Sequence, residues 1–226
     1  MSQALSRPGP ERGGPEPTWE VAYLFPAQGD WSEEEYLALR GNRLVELSVG
    51  VVEVLPVPTT SHQLLVAYLY GALLAFAGGR DLGTVLFAPL RVRLWRGKFR
   101  EPDVVFMRKE HAGRIGEDFW DRADLIMEVV SDDEEDRRRD LETKRREYAR
   151  AGIPEYWIID PREERILVLR LAGRRYAVHG EFSRGTSASS HLLPGFSVDV
   201  NEALSRRAGA AAAGKGGRSP RRRPRR

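Results

Sequence analysis

The sequence predicts an α/β domain, bordering on α+β, with a central mixed β-sheet flanked by helices. Two kinds of segment point to it. Short apolar or alternating runs bounded by turn residues recur from "RLVELSV" to "RYAVHGEF" and read as strands. Among them lie two helical segments: the long uncharged stretch around residues 64–79, and the charged stretch that follows "MEVVS". The order is helix, strands, helix, strands, helix, strands, which fits neither a repeat nor a regular alternating barrel.

Residues 1–17 are rich in Pro and Gly and are expected to be disordered. Ser32 and Glu35 make a capping box, with Trp31 and Tyr36 as its hydrophobic staple, and the helix is expected to end at Gly41. "RLVELSV" and "VVEVLPV" pair as a hairpin about Ser48–Gly50. Ser61–Ala77 reads as a buried helix stopped by Gly78 and Gly79. Its charge-free stretch falls short of the roughly 20 apolar residues that span a bilayer, so no membrane partner is expected. Short strands follow at "TVLFA", "LRVRLW" and "PDVVFM". Next come the strand "DLIMEVV" and a helix to Gly152. "EYWIID" is a further strand, closed by Asp160 before Pro161. "RILVLRL" and "RYAVHGEF" then form a closing hairpin. The folded domain is bounded at 18–205, and 206–226 is a low-complexity basic tail.

The 226 residues include no cysteine, which excludes disulfides and thiolate metal sites and points to a reducing, cytoplasmic setting. The N-terminus lacks the apolar core of a signal peptide. Nine of the 36 Lys and Arg fall in the acid-free tail, so residues 1–205 set 27 basic against 33 acidic groups and carry −6. The positive net charge belongs to the tail, and bulk charge gives no argument for nucleic-acid binding by the domain. The plainer reading of the tail is solvated chain; the sharper one is electrostatic attachment to nucleic acid.

Three carboxylates interrupt apolar strands: Glu46 in "RLVELSV", Asp103 in "EPDVVFM" and Glu128 in "DLIMEVV". Burying one costs several kcal/mol, roughly, unless it is paired or binds a metal. Glu128 shares a strand face with Ile126 and Val130, while Leu125, Met127 and Val129 point the other way. Runs that are apolar on both faces mark a strand covered on both sides. Any one of these carboxylates is more often a strand-end group in solvent or half of an ion pair. Three of them, with no obvious Arg partner nearby in sequence, favour a hard-cation site of the Mg²⁺ or Mn²⁺ type over Zn²⁺. In the next helix a spacing of about 100° per residue puts Leu141, Lys144, Tyr148 and Ala151 on one stripe. Lys144 is the basic residue on that stripe, although an i,i+4 surface pair with Asp140 is open to it.

"PDVVF" followed by "MEVVS" about 25 residues on resembles the metal-binding core of the PD-(D/E)XK, or restriction-endonuclease-like, nucleases. The usual motif places Lys two residues after the second acid, where this chain has Val130. The ordered set Glu46 and Gly50, Ser61 and His62, Asp103, Glu128 and Ser131, then Asp140, Lys144, Tyr148 and "GIPEYWIIDP" resembles the Uma-two family of that superfamily over roughly residues 30–200. The resemblance implies a restriction-endonuclease-like core, and a lysine moved from the strand to the adjoining helix. It also implies Mg²⁺ or Mn²⁺ held by Asp103, Glu128 and the Val129 carbonyl, with Glu46 completing the shell directly, through water, or by binding a second ion. Lys144 would orient the attacking water, and the products would carry 5′-phosphate and 3′-hydroxyl ends. The implied partners are nucleic acid, DNA in the first place, and a second copy of the chain. His62 is a candidate substrate contact, though more often such a His is a cap. Arg91 and Arg93, within the basic cluster that runs through Arg96 and Lys98 to Arg100, are further candidates; a solvated strand face is equally open to them. The competing class is a catalytically silent nucleic-acid-binding or assembly module. Loss of a carboxylate or of the lysine would favour it, and this chain keeps both.

Overall fold

The computed structural model describes residues 25–39, 41 and 44–206. The tails expected at 1–17 and, past Arg206, to 226 lie outside the described residues. Helix α1 (Glu33–Ala38) begins at the capping box read from sequence: Ser32 Oγ accepts from the Glu35 amide and Glu35 returns a bond to the Ser32 amide. It ends at Ala38, short of Gly41, where the Leu39 backbone turns extended.

Strands β1 (Val45–Ser48) and β2 (Val51–Val54) form the expected hairpin, with Val49 and Gly50 both at positive φ in the turn. A Cβ on Gly50 would collide with the Gly29 backbone, whose amide bonds to the Gly50 carbonyl, so glycine is required there. Helix α2 (Thr60–Gly78) is capped by Thr59 and buries Leu65, Val66, Leu69, Leu73 and Ala77. It is long and apolar enough to cross a membrane, but those five residues form a core face against the sheet. It is not buried all round as expected, because Leu64 and Leu74 are exposed.

The next strands are β3 (Gly83–Phe87), β4 (Val92–Trp95), β5 (Lys98–Arg100), β6 (Val104–Arg108), β7 (Trp120–Asp121) and β8 (Leu125–Val129). A continuous helical segment then runs as α3 (Glu134–Arg138), a π-helical stretch (Arg139–Lys144) and α4 (Arg145–Ala151), closed by left-handed Gly152. Strands β9 (Glu155–Asp160), β10 (Arg165–Ala172), β11 (Arg175–Ser183), β12 (Ser187–Ser189) and β13 (Ser197–Asp199) complete the fold. Strands β5, β7, β12 and β13 were not separate elements in the sequence reading; they have two or three residues each, too short for a period-2 signal.

The strands assemble into a six-stranded sheet ordered β11-β10-β9-β8-β6-β3, a five-stranded sheet ordered β2-β1-β5-β4-β7, and the β12-β13 pair. The large sheet is mixed: β8 and β9 are parallel, and the other pairs antiparallel. Helix α2 covers one face, packing on Val104, Phe106, Leu125, Met127 and Trp157. Helix α4 covers the other, where Tyr148 and Ala149 meet Val105, Ile126, Tyr156 and Ile158. Both faces of β6 and β8 are therefore apolar, as their unbroken runs require.

Glu155, in "GIPEYW", is fully buried at the start of β9. Its two oxygens accept from Trp157 Nε1 and Ser190 Oγ at 2.6 Å and from the His191 and Leu192 amides at 2.7 Å. It ties the central sheet to the loop before β13. Each stranded buried donor costs about 1–3 kcal/mol. Glu155→Ala is expected to lower the unfolding free energy by about 3 kcal/mol or more, read from urea titration. An unchanged midpoint would refute this reading.

Candidate active site

The segment Glu101–Asp103 carries the chain from β5 in one sheet to β6 in the other, and a cleft of about 760 Å³ opens beside it. Its walls are the end of β2 with the Pro56–Thr59 linker, the start of α2, the ends of β6 and β8, and residues 131–140. Asp103, Glu128, Val129, Lys144 and His62 all line it.

Antiparallel pairing of Val104 with Met127 sets Asp103 beside Glu128. By strand parity Glu128 faces α4, as the alternation of β8 predicts. Asp103 Oδ2 accepts the Val129 amide at 2.7 Å and lies 3.3 Å from His62 Nε2. Lys144 Nζ sits 2.9 Å from Glu128 Oε1, and Tyr148 donates its hydroxyl to the same oxygen at 2.6 Å. Lys144 is also 2.9 Å from Asp140 Oδ1, but outside hydrogen-bond geometry, so that buried oxygen lacks a directed donor.

Asp140 and Lys144, four residues apart on the π-helical stretch, are both buried on its inward side. The sequence offers Asp140 as a surface partner for Lys144 and as one member of the family pattern; the structure adds that it is buried at the cleft. Glu101, Glu53 and Arg139 also line the cleft and carried no motif signal.

Glu46 does not line the cleft. Arg100 Nη1 bonds its Oε2, and the Glu101 amide donates to Oε1 at 3.2 Å. Despite full burial, Arg100 and then Lys144 hold its pKa below the ordinary value. The partner absent from its sequence neighbourhood arrives from β5, 54 residues away. The basic cluster also turns inward. Arg100 forks onto Glu147 at 2.8 and 3.0 Å, and Lys98 reaches Glu147 at 2.6 Å. Arg91 donates to the Leu37 and Leu39 carbonyls over the Tyr36 ring. Arg93 lies over Phe119 near Glu33 and Asp121. Neither Arg91 nor Arg93 reaches the cleft.

Two carboxylates, Glu128 and Asp140, thus flank one ammonium, and Asp103 lies next to Glu128. Burial, then Asp103 and Asp140, push Glu128 up to about 8 against the opposing pull of Lys144. Lys144 itself is shifted upward by Asp140 and Glu128 despite its burial, so it keeps its proton. The two shifts are compatible: the ammonium stays charged, and the surplus negative charge is relieved on Glu128. Burial opposes protonation of His62, yet Asp103 outweighs it and raises the His62 pKa.

Among the described residues, no group of three or more His, Asp or Glu is clustered as a metal cage. Mg²⁺ rarely uses such a cage; it takes one or two carboxylates and keeps its waters. The donor set fits that pattern. The recorded bonds of Asp103 fall on Oδ2 and those of Glu128 on Oε1, and a divalent cation would balance the surplus charge.

The sequence matches a family model over residues 33–201, most of the chain. The chain belongs to the Uma2 family, described as "Putative restriction endonuclease". The Uma2 chain is also similar in structure to a protein from Anabaena variabilis described as a "putative nuclease belonging to DUF820". The TM-score is 0.64 at 15% identity, covering 78% of this chain and 99% of that one, which establishes a shared fold. A second similar structure is the type IIG restriction endonuclease BpuSI. There the TM-score is 0.35 at 20% identity, over 73% of this chain and 18% of that one. No curated protein matches the sequence. The restriction-endonuclease-like core expected from the sequence is therefore the fold observed.

The raised Glu128 pKa has a direct consequence for stability. A carboxyl that binds its proton more tightly when folded stabilises below its unfolded pKa, near 4.5, and that contribution is lost as pH rises towards about 8. Metal-free protein should therefore lose stability between pH 5 and pH 8, by about 1.4 kcal/mol per pH unit at most. Glu128→Gln should flatten that dependence. Parallel urea-midpoint profiles for the two proteins would contradict the assignment.

Proposed function

We propose that this Uma2 protein is a Mg²⁺- or Mn²⁺-dependent endonuclease that hydrolyses phosphodiester bonds, with DNA as its substrate. The observation that carries the reading is the meeting of Lys144 with Glu128 across 2.9 Å, beside Asp103, at the wall of one cleft. That juxtaposition of two acids and a lysine is what metal-assisted phosphodiester hydrolysis uses, and the family description points the same way.

Asp103, Glu128 and the Val129 carbonyl would hold the cation, and Glu46 would act from behind, through Arg100. When bound, the cation supplies an activated water and charge neutralisation at the scissile phosphate. Lys144 keeps a fixed positive charge at the reacting centre; it is already oriented by Glu128 and Asp140 and needs no rearrangement to act. Tyr148 fixes one oxygen of Glu128 and so directs the other. His62 holds Asp103 from the opposite side. A homodimer cutting both strands, in the cytoplasm, is the assembly this reading implies.

Supercoiled plasmid incubated with purified protein and Mg²⁺ or Mn²⁺ should be nicked, and EDTA should abolish nicking. Asp103→Asn and Lys144→Ala should each slow it roughly 100-fold or more. If the wild type never nicks DNA, or the variants cut equally well, the proposal fails. A catalytically silent module of the same fold would give the first of these results. The acidic lining of the cleft is the observation on its side: nine carboxylates against Arg139 and Lys144 among the described residues.

A further inference from the structure

Among the described residues, Arg139 is the Lys or Arg side chain of the cleft that the mechanism leaves without a task, and its surroundings are unusual. It opens the π-helical stretch at the mouth of the cleft. Nη1 donates to Glu53 Oε1 at 2.6 Å, across the mouth to strand β2, and Nη2 donates to Asp136 Oδ1 at 2.7 Å. Asp136 is itself steadied by Ser131 Oγ at 3.2 Å, whereas Glu53 is 43% exposed on its strand. The guanidinium Nε is buried and has no partner. Of the two Lys and Arg side chains lining the cleft among the described residues, Lys144 is locked between Glu128 and Asp140. Arg139 is the other.

A guanidinium presents a planar fork of donors that suits carboxylate and phosphate oxygens alike. An ion pair with a partly exposed carboxylate contributes little to stability, so a phosphate group can displace it. We propose that Arg139 is the clamp for a phosphate of the bound nucleic acid, and that Glu53 occupies its fork as a displaceable stand-in. Asp136 keeps the guanidinium aimed while Glu53 leaves. The clamp explains how a cleft with so many carboxylates accepts a polyanion: one forked cation stands at the mouth, and the carboxylate holding it sits on the hairpin wall opposite. This deepens the nuclease reading and rests on it for the identity of the ligand.

The test is binding, separate from cleavage. Fluorescence anisotropy of a labelled DNA duplex in EDTA, titrated with wild type, Arg139→Ala, Arg139→Lys and Glu53→Gln, reads the clamp without chemistry. Arg139→Ala should weaken binding about tenfold and lower the slope of log K against log salt by about one. Arg139→Lys should recover only part of the loss, since an ammonium lacks the fork. Glu53→Gln should tighten binding several-fold, because it releases the fork. Opposite signs for Arg139→Ala and Glu53→Gln are the decisive result. If both variants weaken binding alike, the pair is a structural tie and the clamp is refuted. Absence of DNA binding by the wild type refutes it too. Opposite signs together with an absence of nicking would keep the clamp and reject the nuclease.

Discussion

The ammonium of Lys144, buried against Glu128 and Asp140, is the contact on which the rest of the site depends. A lysine is placed in a core only where its charge is compensated, because an unpaired buried ion costs several kcal/mol, roughly. The compensation is split between two elements: Glu128 belongs to the central strand, Asp140 to the helical segment that carries Lys144. The helix cannot slide along the sheet without exposing one carboxylate or the other. The π-helical stretch fits this constraint. Asp140 and Lys144, four residues apart on it, lie on the same inward side.

The helix is also held from the side opposite the large sheet. Glu147, three residues beyond Lys144, receives the Arg100 fork and the Lys98 ammonium from β5, and Arg100 continues to Glu46 on β1. In this network Arg100 and Lys98 face Glu46 and Glu147, and Arg100 also lies 3.8 Å from Glu53. The network joins the five-stranded sheet to α4 one residue before Tyr148, whose hydroxyl positions Glu128. The smaller sheet thus contributes rigidity to the site through ion pairs. That accounts for Glu46, in the family pattern, lying behind the cleft instead of in its wall.

Much of this was legible in the sequence, and the reasons can be named. Alternation along "DLIMEVV" placed Glu128 on the face of Ile126 and Val130, which is the face α4 covers. Helical spacing turned Lys144 and Tyr148 towards it, and the capping box at Ser32 fixed the start of α1. Local patterns report only local geometry, however. Nothing near Glu46 announces Arg100, and nothing near Arg139 announces Glu53, because each pair forms between segments far apart in sequence. For the cluster from Arg91 to Arg100 the sequence leaves a nucleic-acid surface and a solvated strand face equally open; in the fold most of it is spent on internal contacts, because its partners come from distant segments.

The two ionic clusters differ in one respect that separates scaffold from site. Around Glu147 every group has an opposite partner. Around Lys144, Asp103, Glu128 and Asp140 outnumber the ammonium, and Glu128 takes up the strain as a raised pKa. His62, drawn towards protonation beside Asp103, offsets only part of it. Folding alone gives no reason to keep such an excess of buried negative charge, since an apolar residue or one more base would remove it. A site whose occupant brings positive charge does give that reason, because the surplus becomes the driving force for binding. The imbalance at Lys144, set against the paired charges one helical turn away at Glu147, is what sets the first cluster apart as the candidate site.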